Sequence, residues 1–353
     1  SLAWASVASE ARLRSTTGGA VQAFIEGIPK VELHLHIEGT LEPELKVKLA
    51  ERNGVGLPYS SVDEMRAAYD FDDLPSFLAV YYEGMSVLLT EGDFFDLAYA
   101  YFEKAHSQNV LYAEIFFDPQ AHTSRGVAFE TVITGIRRAQ VQAETKLGLR
   151  SQLIMCFLRD MSAASAMETL EAADAHRQWI VGVGLDSDEK GNPPSKFAEV
   201  FAAARERGYR LTMHCDVDQE NSTIHIRQCL DDIGVDRIDH GVNVLDDQTL
   251  VAEVAERGLG LTVCPISNSY VTDGYKAAEI KAMLEAGLKV CINSDDPAYF
   301  PGYMTENLLA VRAAAELTRS QVVQLVGNAF DIAWLDEPTR AQLRRRLDDY
   351  VAS

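Results

Sequence analysis

The sequence predicts an α/β fold: a closed (β/α)8 barrel of the TIM type with a helical insertion after its first strand. Three observations carry that prediction. Eight short, mostly apolar runs recur along the chain, amphipathic helical patterns lie between them, and the last six runs start at 151, 180, 209, 237, 259 and 288. That spacing fits one βα unit per run, and eight such units favour a closed barrel. An open doubly wound sheet would be expected to carry a nucleotide-binding loop, and neither GxGxxG nor a Walker-type loop occurs.

The runs, in order, are KVELHLHIEG (30–39), VLYAEIFFDP (110–119), SQLIMCFLRD (151–160), IVGVGLDS (180–187), YRLTMHCDV (209–217), RIDHGVNV (237–244), LGLTVCPISN (259–268) and LKVCINSDDP (288–297). They do not alternate cleanly between apolar and polar, which is how parallel strands buried on both faces read. Between them, Phe197, Val200, Phe201 and Ala204 form one helical stripe and Ile226, Cys229, Leu230 and Ile233 another, with Ile280, Met283 and Leu284 giving a shorter one. Gly208, Gly234, Gly258 and Gly287 stand just before the next run, where a left-handed cap turns the chain back to the sheet. Residues 41–109 interrupt the period with helical patterns; over the strand C-termini they would serve as extra packing or as a lid. The opening stretch has no apolar core of a secretory signal, so residues 1–25 are read as a poorly ordered extension and 26–353 as a single domain.

Composition excludes several partner classes. Of 353 residues, 32 are basic and 53 acidic, a net charge of -21. Such a surface repels phosphate backbones and anionic lipid, which argues against nucleic acid and membrane as partners. No apolar run approaches a membrane span. The cysteines (Cys156, Cys215, Cys229, Cys264, Cys291) contain no CxxC pair, and free buried thiols in a reducing cytoplasm are the plain reading. Whether the chain forms a homo-oligomer is not legible.

Polar residues gather at the strand ends: His34 and His36, Asp118, Arg159 with Asp160, Asp186, His214 with Asp216, Asp239 and His240, Asn268, and Asp295 with Asp296. Closing the barrel brings these ends into one mouth, where buried polar groups must find partners. In His34-Leu35-His36 the two imidazoles are two residues apart and share one side of a strand. With His214 and Asp295 they make three neutral nitrogens and one carboxylate, a set that suits one catalytic divalent metal. Zinc is the default, with iron, manganese or cobalt also compatible. No GxSxG elbow occurs, and the His36-Ile37-Glu38 fragment is followed by no PCxxC, so serine-hydrolase and cytidine-type deaminase chemistries lack their signatures.

These motifs resemble the adenosine/adenine deaminase family of the amidohydrolase superfamily. PKVELHLHIEGTLEPEL looks like its opening metal motif, RIDHG like its histidine motif and NSDDPAYF like its closing aspartate pair. FFDPQAHTSRG, VGLDSDEKGNPPSKF, LTVCPISN and SDDPAYFPGYMTEN look closer to bacterial adenine deaminases. The resemblance implies a zinc-dependent aminohydrolase that converts adenine, or a related 6-aminopurine, to hypoxanthine and ammonia. It implies His34, His36, His214 and Asp295 as metal ligands, His240 as the group that takes the water proton or orients the hydroxide, and Asp296 as the carboxylate that binds the purine edge. The alternatives are an adenosine deaminase, an amidohydrolase of another heterocycle, or a non-catalytic purine-binding protein.

One departure matters. After the strand-5 histidine the family carries His-Ala-Gly-Glu, whose glutamate protonates the ring; here Val217 stands in that place. Asp216 and Asp218 are equal candidates to replace it and Glu220 is a third, the alternative being that these acids cap the next helix. Arg159 and Asp160 read as an ion pair, with either lining the pocket as the alternative, and His122 as an ordinary loop histidine, with reach to the substrate as the alternative. Phe71, Phe77, Tyr81 and Tyr82 read as core of the insertion, with stacking on a planar base as the alternative.

Overall fold

In a computed structural model of the protein, residues 18–216 and 219–353 are described. Eight strands pair in chain order, each neighbour parallel: β1 (Lys30–His36), β2 (Val110–Phe117), β3 (Arg150–Leu158), β4 (Ile180–Asp186), β5 (Arg210–Cys215), β6 (Arg237–His240), β7 (Gly260–Val263) and β8 (Lys289–Ile292). Each lies within one of the apolar runs, except that β3 starts one residue earlier, at Arg150. The three helical stripes face the sheet with every named residue buried. Gly208, Gly234, Gly258 and Gly287 all take left-handed φ, between 64° and 87°, where a side chain would be strained.

The seam between β8 and β1 decides where the site forms. β8 has only four residues, and the barrel closes through one bridge, Leu35 to Asp295. His36 N donates to Asp295 O at 3.0 Å and Asp295 N to His34 O at 3.1 Å. Deeper in, side chains replace the missing ladder. Asn293 Oδ1 accepts from Leu33 N and His34 N at 2.8 and 3.1 Å, and Glu32 Oε2 accepts from Ser294 N at 3.0 Å. Buried backbone donors must be satisfied, and here the same residues that close the barrel carry Asp295 to the β1 histidines.

Most of the core lies between the sheet and the helices, while Phe116, Ile154 and Cys156 form a separate cluster, with Trp334 packed against it. A helix over residues 18–27, called α1, precedes β1, with Ile25 and Ile28 wholly buried and Phe24 stacked near Tyr350 at 5.4 Å. Residues 18–25, expected in a poorly ordered extension, are therefore helical, with an apolar face to bury. After β1 come α2 (Pro43–Asn53), α3 (Val62–Ala67), α4 (Leu74–Gly84) and α5 (Glu91–Ser107). Helix α5 leads into β2 and packs along the helix Phe129–Leu147, so it belongs to the outer ring. The insertion at the mouth is α2–α4. Asp73 starts α4 with a reciprocal capping box to Ser76, which directs Phe77, Tyr81 and Tyr82 toward the barrel opening. No described helix is long and apolar enough to cross a membrane.

Candidate metal centre and active site

The four expected ligands converge. His34 Nε2 is 3.1 Å and His36 Nε2 3.2 Å from Asp295 Oδ1, and His36 Nε2 is 3.1 Å from His214 Nε2. His34, His214, His240 and Asp295 each offer an atom within 4.8 Å of the others, and all are buried. The ring edges of His34, His36 and His214 rest on Phe116, with centroids 5.0, 4.9 and 5.4 Å away.

The donor set fits a divalent cation. Bonds of about 2.0–2.1 Å meeting at tetrahedral angles set ligand atoms roughly 3.3 Å apart, close to the separations here. The opposite ring nitrogens of His34 and His36 face an oxygen from behind, which aims their Nε2 lone pairs inward, whereas His214 Nδ1 makes no hydrogen bond. His34 Nδ1 meets Thr262 Oγ1 at 2.9 Å, and Thr262 Oγ1 donates to Asp239 Oδ1 at 2.9 Å. His36 Nδ1 lies 3.3 Å from Asp186 Oδ2, and His214 Nδ1 lies 3.6 Å from Asp239 Oδ2.

Charge points the same way. Burial, then the neighbouring imidazoles of His34, His36 and His240, holds His214 well below the usual histidine range. Burial and His34 push His240 down to about 3. Burial acts to raise the Asp295 carboxyl, but His34 and His36 outweigh it and keep the group well below the carboxylate range. At His36, burial is outweighed by Asp296, Asp186 and Asp295, which hold its basicity well above normal. Lone pairs on the His214 and His240 rings, an ionised Asp295 carboxylate and the surrounding acids suit a cation.

Backbone geometry at the mouth is unusual. His240, Asp295 and Ser187 are non-glycine residues at φ 65°, 62° and 82°. Such conformations cost on the order of 1–3 kcal/mol and persist where surroundings over-determine them. Asp295 is pinned by the seam and by Ser267 Oγ, which donates to its Oδ2 at 2.8 Å. Gly39 is required: a Cβ there would collide with the backbone and side chain of Asp296.

Beside the metal set lies a cavity of about 280 Å³, lined by Phe77, Tyr81 and Tyr82 of α4, by Asp186, Glu189, Asn268 and Asp296 from the barrel, and by Phe300. That is the small end of ligand cavities, which run about 300–1,000 Å³. Tyr81 Oη, Asp296 Oδ1 and both amide atoms of Asn268 are buried without a partner, so the wall presents unused hydrogen-bonding groups. Burial and the adjacent Asp295 raise the Asp296 carboxyl well above its normal range.

Other expectations fare unevenly. Asp216 is buried at the end of β5 but does not line the cavity; its carboxylate bonds directly to His225 Nδ1. Glu220 is exposed, and Val217 and Asp218 lie outside the described residues. The helix Ser222–Gln228 starts at Asn221, whose side chain makes no cap bond. Arg159 and Asp160 do not form an ion pair. Successive residues leave a strand end on opposite sides: Asp160 is exposed, whereas Arg159 is buried and donates to His214 O at 2.8 Å and Asn192 O at 2.9 Å. His122 is buried 3.5 Å from Glu38 and bonded to Arg125, away from the cavity lining. Phe71 is core, but Phe77, Tyr81 and Tyr82 line the cavity. Sequence reasoning passed over Thr262, Ser267 and Glu189; Glu189 follows Asp186 and Asp188 in one acidic stretch, and nothing local separates them.

Fold and site together are those of a barrel hydrolase of the amidohydrolase kind, with a candidate metal centre at the strand C-termini. The sequence matches the family model described as adenosine deaminase over residues 29–350, and the chain belongs to that family; it is a hydrolytic deaminase. It is 53% identical over 327 residues to an adenine deaminase of Rhodospirillum rubrum, covering 92% of this chain and 97% of that one. The crystal structure of an adenine deaminase from Arthrobacter aurescens superposes with a TM-score of 0.89 at 43% identity, covering 93% and 100% of the two chains. An amidohydrolase from Burkholderia ambifaria with bound Zn gives a TM-score of 0.83 at 29% identity, over 94% and 95%.

Proposed function

We propose that the protein hydrolyses adenine to hypoxanthine and ammonia, using a zinc ion held by His34, His36, His214 and Asp295. The observation that carries this reading is that His34 and His36 meet Asp295, and His36 meets His214, at 3.1–3.2 Å beside a cavity of about 280 Å³, sized for one heterocycle. Likeness at 53% identity to a relative named adenine deaminase, and to a Zn-bound amidohydrolase, supports substrate and metal.

When bound there, a divalent cation supplies a water that loses its proton near neutral pH. His240, 4.0 Å from Asp295 Oδ2, is buried beside the metal donors and would take that proton at Nε2, then pass it to the departing amine. Asp296 turns its unpartnered Oδ1 to the purine edge, and the Asn268 amide offers both a donor and an acceptor. Phe77 and Phe300, 4.5 Å apart between centroids, cover the ring and exclude water. Five free buried cysteines fit a reducing compartment, and we assign the protein to the cytoplasm.

The test is direct. Zinc-loaded protein is mixed with adenine, adenosine and N6-methyladenine while absorbance and released ammonia are followed. Adenine turnover with little or none on adenosine is expected; an inactive, metal-replete protein on all three would end the purine reading.

A further inference from the structure

Buried polar atoms are almost always paired, so those in a cavity wall that lack a partner point to what the cavity binds. Asn268, on the helix Pro265–Val271 after β7, stands apart among them. It is 1% exposed and lines the cavity, yet neither its amide oxygen nor its amide nitrogen has a hydrogen-bond partner. Its backbone is fixed: Asn268 N donates to Cys264 O at 2.9 Å, and Asn268 O accepts from Thr272 N at 2.8 Å and Thr272 Oγ1 at 2.7 Å. Among the described residues of the cavity wall, it alone sets a buried, unpartnered donor beside a buried, unpartnered acceptor on one planar group, whichever way the amide is turned. Tyr81 offers a single hydroxyl, and Asp118, Asp186 and Asp296 offer carboxyl oxygens gathered around His36.

We infer that Asn268 selects the bare base by pairing its amide with the N3 and N9–H edge of adenine, an assignment that rests on the deaminase reading above. A carboxamide pairs with a purine edge on which a donor and an acceptor lie side by side, as asparagine does with adenine in DNA. Adenine has three such edges: N6–H with N1, N6–H with N7, and N9–H with N3. The first two flank C6, the carbon that must face the metal donors, and the acids around His36 stand on that side. The third lies across the ring from C6 and is the same in adenine and hypoxanthine, so a neutral amide can hold it from substrate to product. Phe77 and Phe300 cover the ring, which leaves this pairing to be made in the ring plane. The amide N–H donates to N3, and the amide oxygen accepts from N9–H. A ribose on N9 removes that hydrogen and strands the oxygen. A site built to hydrogen-bond a substrate N–H rejects the analogue lacking it by about 10⁴–10⁵-fold.

The test measures competitive inhibition of full-length zinc-loaded protein by 3-deazaadenine and 7-deazaadenine, which replace N3 or N7 by C–H without added bulk. Losing N3 strands the amide donor in wild type and strands nothing in Asn268→Ala. The ratio of the 3-deaza to the 7-deaza inhibition constant should therefore fall about 5–150-fold in that variant. Asn268→Asp, of the same shape but with no donor for N3, should lower the ratio as well. A ratio that moves less than about threefold in both variants of an active enzyme overturns this inference alone. A ratio that rises sets the amide against N7 and also overturns it. A crystal structure of the wild type with hypoxanthine gives a reading that needs no variant to fold. Asn268 Nδ2 and Oδ1 should lie within about 3.2 Å of N3 and N9, and a product that turns another edge to Asn268 overturns the assignment. A wild type that neither binds nor turns over any of these purines overturns it together with the proposed function.

Discussion

Strand β6 carries buried charge to both ends of the barrel within four residues, Arg237-Ile238-Asp239-His240. At its start, Arg237 donates to Glu114 Oε1 at 2.7 Å, and Glu114 Oε2 accepts from Trp334 N at 2.7 Å and Tyr112 Oη at 2.8 Å. The remaining guanidinium nitrogens find no acceptor, but the group lies over the Trp334 ring at 4.1 Å. At the other end, His240 Nδ1, Asp296 Oδ1 and Asn268 are buried with nothing to bond. Opposite charges face each other at the bottom, whereas the mouth leaves polar groups open and acid in excess. The first arrangement serves the fold; the second has polar capacity left for a cation and a heterocycle.

Four substitutions test that contrast, in descending order of effect. Asp295→Ala should abolish stoichiometric zinc binding, measured by elemental analysis, and take adenine turnover below detection while far-ultraviolet circular dichroism stays unchanged. A variant that kept its zinc would show that the mouth is not the cation site. Removing one partner of the bottom pair should act on stability instead. Arg237→Met should cost about 3–5 kcal/mol in denaturant unfolding by stranding Glu114. Adding Glu114→Leu should restore much of it, with kcat per folded molecule near wild type; a selective loss of kcat would erase the distinction between the two ends. Asp239→Asn, which loosens the support of His34 and His214, should weaken zinc affinity about 10–100-fold without preventing folding, read by competition with a chelator.

The smallest effect concerns a buried charge in the insertion. Lys46 of α2 donates to Tyr69 Oη at 2.6 Å and Tyr299 Oη at 3.0 Å, and burial lowers its pKa from 10.5 to about 8. Between those values the unfolded chain binds more protons than the folded one, so stability rises with pH. Relative to Lys46→Met, wild type should therefore gain on the order of 2 kcal/mol from pH 8 to pH 10 and nothing from pH 6 to pH 7.5. A difference that stays constant with pH would mean that Lys46 is better solvated than its packing implies.

The strands, the capping glycines and the metal ligands were legible because each has a local signal. Burial on both faces leaves a continuous apolar run, a left-handed cap leaves a glycine, and two inward imidazoles leave an HxH. Arg159 was misread because adjacency in sequence suggests a pair, while alternation at a strand end separates the two side chains. Thr262 and Ser267 were passed over because their distinction lies in what they touch, His34 and Asp295, which come from other segments of the chain.

By itself, then, the sequence determined a parallel barrel, the strand ends on which its histidines and aspartates fall, and the family to which those motifs belong. Tertiary structure alone decided that a four-residue β8 closes onto β1 through Asp295, that α4 borders the mouth while α5 joins the ring, and that acids from several strand ends and loops share one cavity wall. The reason is physical: periodicity and turn chemistry act over a few residues, whereas a carboxyl group's partners and protonation depend on neighbours brought together only when the barrel closes.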